Sequence, residues 1–94
     1  MFEYTPMCEY RLIYCWDTVH WTCIAASDIP VDICEYFKKN LPEMKEALEV
    51  SEDAHYTIEY HCGVTLVKAW HGTPDELYKV INDITSSWLS RAFQ

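Results

Sequence analysis

The clearest hydrophobic pattern in the chain runs from His55 to Leu89. Apolar and polar residues first alternate with a period of two, as in a strand that buries one face. The apolar positions of this strand are Tyr56, Ile58, Tyr60 and Cys62. Gly63 permits a tight reversal, and Val64 to Trp70 form a second apolar run. The pattern up to Trp70 therefore predicts a β-hairpin.

A helix is predicted immediately after this hairpin. Thr73 and Glu76 are three residues apart, as in a capping box, and Pro74 occupies the first helical position. The apolar stripe of the helix consists of Leu77, Val80, Ile81, Ile84 and Trp88. We expect this stripe to be buried. Replacing a buried tryptophan by alanine costs about 3–5 kcal/mol, so Trp88→Ala is expected to destabilise the fold strongly.

The N-terminal half shows the same order of elements less clearly. Two strands are predicted, from Tyr10 to Trp16 and from Val19 to Ala26. Ser27 or Asp28 is placed to cap a following helix, with Pro30 in its first turn. The inward stripe of this helix is predicted to be Ile33, Cys34, Phe37 and Leu41.

The two halves can be aligned with each other. The alignment pairs Leu12 with Ile58 and Pro30 with Pro74. Any two amphipathic hairpin–helix units would align in a similar way. The alignment therefore predicts a structural repeat and leaves its origin open.

These elements predict a single α+β domain over residues 1–94, in the order ββα(α)ββα. Two hairpin–helix units, 9–41 and 55–90, are expected to share a four-stranded, mainly antiparallel sheet with the helices packed on one face. Pro42 is expected to end the first helix, and an acidic short helix within 42–53 would join the units. Strands 1 and 4 or strands 2 and 3 could be central. Either order leaves two sheet edges that can pair with another chain.

The second predicted strand has apolar residues on both of its faces. Val19, Trp21 and Cys23 alternate with Ile24 and Ala26. A strand without a polar face is usually covered on both sides. The second cover is expected to be another subunit, a target protein or the N-terminal arm. Val19, Trp21 and Cys23 are therefore the candidate dimer or partner face.

Charge narrows the classes of partner. The formal net charge is −8, from 15 acidic and 7 basic residues, which disfavours direct binding of nucleic acid or of an anionic membrane surface. The same field attracts a basic protein or nucleoprotein. The sequence has no apolar run of the roughly 18 residues needed to span a membrane and no signal-peptide pattern, so we expect a cytoplasmic protein. Five cysteines, an odd number without a C-x-x-C pair, favour reduced thiols packed in the core.

Acidic residues are concentrated near the middle of the chain. The candidate partner-binding residues are Glu43, Glu46, Glu49, Glu52 and Asp53. On a helix the first three recur at about 4.5 Å along the axis, which is comparable with the 3.4 Å axial spacing of phosphates in one nucleic-acid strand. The set is interpreted as a nucleic-acid mimic, or alternatively as a solvated helix face that keeps the protein soluble.

Two sets of residues are considered for catalysis or metal binding. His55, Thr57, Glu59 and His61 share one face of the third predicted strand, with His20 nearby in some registers. Cysteine–histidine pairs are conceivable among Cys15, Cys23, His20 and His71. No spaced metal-ligand motif, nucleophile elbow, phosphate loop or dinucleotide fingerprint accompanies them. We therefore predict no enzymatic activity, no metal and no cofactor.

In size and acidic character the chain resembles small phage-encoded inhibitors of host defence, including anti-CRISPR and anti-restriction proteins. The resemblance implies a stoichiometric inhibitor that occupies a basic surface of a nucleic-acid-handling complex. The alternative is a homodimeric structural or adaptor domain. A third hypothesis is a small metal-dependent or cysteine enzyme.

Overall fold

Four strands and two helices follow one another in ββαββα order along residues 7–92, the part of the chain that the computed structural model describes. The elements are β1 (Cys8–Cys15), β2 (Trp21–Ser27), α1 (Pro30–Val50), β3 (His55–Cys62), β4 (Thr65–Gly72) and α2 (Pro74–Ala92). All neighbouring strands are antiparallel, and the helices cover one face of the sheet. The predicted α+β fold class is confirmed. The N-terminal arm before residue 7 lies outside the described residues.

The strand order in the sheet is β2-β1-β3-β4. The central pair is thus β1 with β3, which is neither of the two orders considered from the sequence. Leu12 and Ile58 are directly opposite each other at the middle of this pair, and both are fully buried. Each half of the chain therefore contributes one central strand and one edge strand, as a structural repeat requires.

Helix α1 is a single helix that continues through Pro42, so the prediction of a separate short helix in 42–53 is wrong. A proline inside a helix removes one hydrogen bond and costs about 3 kcal/mol. Phe37 before Pro42 and Met44 after it are both buried in the same core, which favours one uninterrupted helix. The start of α1 also differs from the prediction that Ser27 or Asp28 is the cap. Ile29 is the N-cap residue, and Ser27 Oγ accepts its backbone N–H at 3.0 Å.

Helix α2 begins as the sequence predicts. The Thr73 amide donates to Glu76 Oε1 and the Glu76 amide donates to Thr73 Oγ1, each at 3.2 Å, which completes the capping box. Leu77 and Ile81 are fully buried. Val80 and Trp88 are only partly buried and lie outside the core cluster, so their predicted burial is wrong. Helical spacing indicates which face of a helix is apolar, but not where along the helix the core ends.

Cys8 and Cys62 form a disulfide at one end of the central strand pair, where their Cα atoms are 4.0 Å apart. The prediction that the cysteines are reduced and packed as small apolar residues is wrong for this pair. Strand order brings residues 8 and 62 together, and the sequence does not show that order. Cys15, Cys23 and Cys34 are free thiols, and Cys34 is buried in the core as predicted.

Edge strand β2 contains a bulge at Ile24, because Leu12 pairs with Ala25 while Ile13 pairs with Cys23. A bulge inserts one residue and shifts the alternation of side chains beyond it. Ala26 consequently shares a face with Trp21 and Cys23, whereas simple alternation predicts the opposite face.

Candidate functional site

The five predicted partner-binding carboxylates are all exposed. We call them the acidic surface: Glu43, Glu46 and Glu49 on the outer side of α1, and Glu52 and Asp53 in the turn that follows. Within residues 7–92, none of the five forms an ion pair with a lysine, arginine or histidine. The negative charge of this surface is thus directed to solvent.

The lysine within this segment does not neutralise the acidic surface. Lys45 Nζ is 2.8 Å from Asp75 Oδ2, in the first turn of α2. The last turn of α1 contains no basic residue, and Glu49 lies there near the negative end of the helix dipole. Carboxylates at that end are unfavourable by a few tenths of a kcal/mol to about 1 kcal/mol. Helix stability therefore does not explain this placement.

The sheet face away from the helices, here called the open sheet face, carries a second candidate site. A concavity of about 290 Å³ lies on it, here called the sheet pocket. Its lining residues are Ile13, Cys15, Trp21, His55, Thr57, Glu59 and His71. Cross-strand pairing brings these residues together from all four strands. The sequence predicts that His55, Thr57, Glu59 and His61 share a face, and the strand register confirms this.

Two hydrogen-bonded pairs organise the polar side of the sheet pocket. Thr57 Oγ1 and His71 Nδ1 are 3.3 Å apart. Glu59 Oε1 and His61 Nε2 are 2.7 Å apart, with both side chains largely buried. His71 comes from β4, so the sequence pattern of β3 alone did not identify it as a member of this set.

The cysteine–histidine pairs considered from the sequence do not form in this structure. His20 Nδ1 is 2.7 Å from Asp17 Oδ2 in the β1–β2 turn, and His71 is bonded to Thr57. Burial, Glu59 and Asp17 together raise the pKa of the Cys15 thiol, which keeps it in the less nucleophilic protonated form. Within residues 7–92, no group of three or more His, Cys, Asp or Glu side chains is arranged to hold a metal ion.

The β1–β2 turn lies at the same end of the sheet as the sheet pocket and is held by local contacts. Asp17 Oδ1 accepts the backbone N–H groups of Val19 at 2.8 Å and His20 at 2.6 Å. These two bonds and the His20 side chain lower the pKa of Asp17 to about 2. Ser51 Oγ donates to the Trp16 carbonyl at 3.3 Å, which links this turn to the end of α1.

The candidate dimer or partner face is exposed along edge strand β2 and the turn before it. Val19 is 73% exposed, Trp21 is 63% exposed, and Cys23 is also exposed. Strand β2 contains no charged residue and no proline. Charges, prolines and bulges on edge strands discourage pairing with other chains, and β2 has only its bulge at Ile24.

The aromatic residues divide between the core and the surface. Tyr10 stacks on Tyr60 at 4.6 Å and Tyr14 contacts Tyr56 at 4.9 Å, all on the helix-covered face. Burial raises the pKa of Tyr56 to about 12. Tyr10, Tyr14 and Tyr56 thus contribute to the core, whereas the exposed Trp21 lines the sheet pocket.

Comparisons with known proteins add no relative. A scan of protein-family models, a search of curated proteins and a search of solved structures each found no match to this chain. Neither helix in residues 7–92 combines the length and apolar character needed to cross a membrane.

Proposed function

We propose that this protein is a small acidic inhibitor that binds a basic surface of a nucleic-acid-handling complex. The acidic surface takes the place of nucleic acid there, as in a phage anti-defence protein of the anti-CRISPR kind. The action is stoichiometric binding without catalysis. The observation that supports the proposal is the exposure of five carboxylates, none of which forms an ion pair with another described residue.

The rigidity of α1 favours such a role. Glu43 and Glu49 are separated by about 9 Å along the helix axis at 1.5 Å per residue. Their helix is fixed to the core by Phe37 and Met44, on either side of Pro42. Because the helix backbone is already ordered, only the glutamate side chains lose conformational entropy when a complementary surface binds.

The experiment compares capture of partners from the native host by two charge-matched variants. The first variant carries Glu46→Gln, Glu49→Gln and Glu52→Gln within the acidic surface. The control carries Asp28→Asn, Glu35→Gln and Asp83→Asn, three exposed acidic positions outside it. Both variants raise the net charge by three, so a difference between them reports the position of the charge.

We expect the wild type and the control to capture a nucleic-acid-binding protein and the first variant to lose it. The affinity of the captured protein for the wild type should fall as salt rises, because exposed charges are screened. Equal capture by both variants, with an affinity that does not change with salt, would contradict the proposal.

A second candidate function, self-association as a structural or adaptor domain, is favoured by the uncharged edge of β2. Two β2 strands can pair antiparallel about a twofold axis. Sedimentation at micromolar concentration tests this with Thr22→Lys on β2 and Thr65→Lys on β4 as the control, both at exposed positions. A dimer that only Thr22→Lys dissociates supports the function, and a monomeric wild type contradicts it.

The proposed location is the cytoplasm. Thiols are kept reduced in that compartment, so the Cys8–Cys62 disulfide of the structure would be open to reduction there. Alkylation of free thiols in intact cells, followed by mass spectrometry, tests the location. A fully oxidised Cys8–Cys62 pair in cells would contradict it.

A further inference from the structure

We propose that the sheet pocket binds a small organic cation with a flat apolar body, of the arylalkylamine class. This site shares no residue with the acidic surface, although His55 Nδ1 lies 3.2 Å from the Asp53 carbonyl oxygen, and it does not depend on the proposed inhibitor function. Three features carry the inference: the concavity itself, the carboxylate of Glu59 in its lining, and the exposed side chain of Trp21.

The concavity is unusual for a sheet face that no helix covers. Such a face is commonly solvated, yet Ile13 is 8% exposed and Thr57 is 5% exposed. Side chains from the flanking strands, including Trp21 and His71, surround these two residues. The volume of about 290 Å³ is near the lower limit of roughly 300 Å³ for small-molecule pockets. One ring system with a short side chain is the matching size.

The charge of the sheet pocket favours a cation. Among the described residues that line it, Glu59 is the one acidic residue and none is a lysine or arginine. Arg11 faces Glu59 across the central strand pair, but its Nε is 2.6 Å from Glu9 Oε1. The Nε–H of this guanidinium is thus bonded to a different carboxylate.

The Glu59 carboxylate is also fixed in position. Its Oε1 is 2.7 Å from His61 Nε2, and the Glu59 side chain is largely buried. His61 donates its Nε2–H to this carboxylate oxygen, which holds the Glu59 side chain in one orientation. A partly buried carboxylate interacts with a cation more strongly than an exposed one, because less water screens the pair. The net charge of −8 also raises the local concentration of cations.

Trp21 supplies the apolar contact. Its side chain lines the sheet pocket from edge strand β2, and the indole is 63% exposed. An exposed indole can stack on an aromatic ring or contact an ammonium group through its π face. Ile13 provides an apolar floor, while Thr57 and His71 offer hydrogen-bonding groups beside it.

The experiment uses phenethylamine as the probe and 2-phenylethanol as its neutral counterpart. Amide chemical shifts of the isotopically labelled, full-length protein are recorded during titration with each compound. We expect phenethylamine to produce saturable shifts at residues 13–15, 21–23 and 55–59, with the alcohol binding about tenfold or more weakly. A tenfold difference corresponds to about 1.4 kcal/mol, which is the scale of one charge-assisted hydrogen bond.

Two variants and one control test the assignment. Glu59→Gln should weaken phenethylamine binding about tenfold or more while leaving the affinity for the alcohol nearly unchanged. Trp21→Ala removes an exposed side chain, so its fold should persist, and it should weaken both compounds. Glu35→Gln, on the outer side of α1, should change neither affinity.

Several outcomes overturn the proposal. The first is that millimolar phenethylamine produces no saturable chemical-shift changes. The second is that phenethylamine and 2-phenylethanol bind with equal affinity, and the third is that Glu59→Gln binds phenethylamine as tightly as the wild type. Shifts confined to the acidic surface also overturn it, since they indicate general attraction of cations. Because no partner protein is present in the titration, its result is distinct from the outcome of the capture experiment.

Discussion

The rings of Phe37 and Tyr78 lie parallel across the interface between α1 and α2, with centroids 5.9 Å apart. Phe37 is the largest of the fully buried side chains in residues 7–92. The Cys34 thiol donates to Asn82 Oδ1 at 3.1 Å one turn earlier in α1. The paired positions run in opposite directions along the two helices, so the helices are antiparallel.

Phe37→Ala is expected to lower the free energy of unfolding by about 3–5 kcal/mol, because it removes a buried ring and leaves a cavity. Trp88→Ala should cost clearly less, since Trp88 is only partly buried. Urea denaturation followed by circular dichroism measures both values. An equal or larger loss of stability for Trp88→Ala would show that the core extends along α2 as far as Trp88.

Opening the Cys8–Cys62 disulfide is expected to destabilise the protein. The bond closes a loop with a sequence separation of 54 residues, and the chain-entropy relation gives about 4 kcal/mol for a loop of this size. Denaturation of the wild type with and without reductant measures the loss. A variant with Cys8→Ser and Cys62→Ser should match the reduced wild type, and Cys23→Ser, at an exposed free thiol, should keep the reductant effect. Insensitivity of the wild type to reductant would contradict this.

Asp17→Asn is expected to lower stability at neutral pH and to have little effect in strong acid. The pKa of Asp17 is lowered to about 2 by hydrogen bonds from Val19 and His20. Its charged form therefore stabilises the folded state above the ordinary carboxyl pKa of about 4, and this contribution is lost as the pH falls towards 2. Urea midpoints of both proteins between pH 2 and pH 7 should converge at the acid end. A constant difference across this range would refute the assignment, and Asp28→Asn is the control.

Glu49→Lys is expected to stabilise the fold while weakening partner capture. A cation in the last turn of α1 interacts favourably with the helix dipole, by about 0.3–1 kcal/mol. The same change reverses one charge of the acidic surface. Thermal denaturation and host capture measure the two effects. A gain in stability without loss of partner capture would show that Glu49 does not contribute to the binding surface.

The sequence was most informative where interactions are local. The capping box of Thr73 and Glu76 involves residues three apart, and Gly63 adopts the positive φ of 63° that its tight reversal requires. The preference of proline to end a helix gives the wrong prediction at Pro42. Burial of side chains before and after Pro42 outweighs that local preference. The pairing of strands that are distant in the sequence is the hardest feature to predict. Alternation of apolar and polar residues identifies each strand, but it does not show which strands are neighbours in the sheet.

The candidate sites likewise include one feature that the sequence predicts and others that it does not. The exposure of the five carboxylates could be predicted, because charged residues at helical spacing rarely enter a core. The sheet pocket could not be predicted, because it combines residues from four strands and the sequence does not show the order of those strands in the sheet. The disulfide was missed for the same reason, although both Cys8 and Cys62 are visible in the sequence.

The central position of β1 and β3 has a consequence for assembly. Each hairpin–helix half completes its sheet only with the other half, and nothing in the backbone pairing requires both halves to belong to one polypeptide. Two molecules that open between α1 and β3 can satisfy the same hydrogen bonds by exchanging halves. Such a reciprocal exchange would be favoured at high concentration and would place the Cys8–Cys62 bond between two chains, where it would lock the swapped pair covalently.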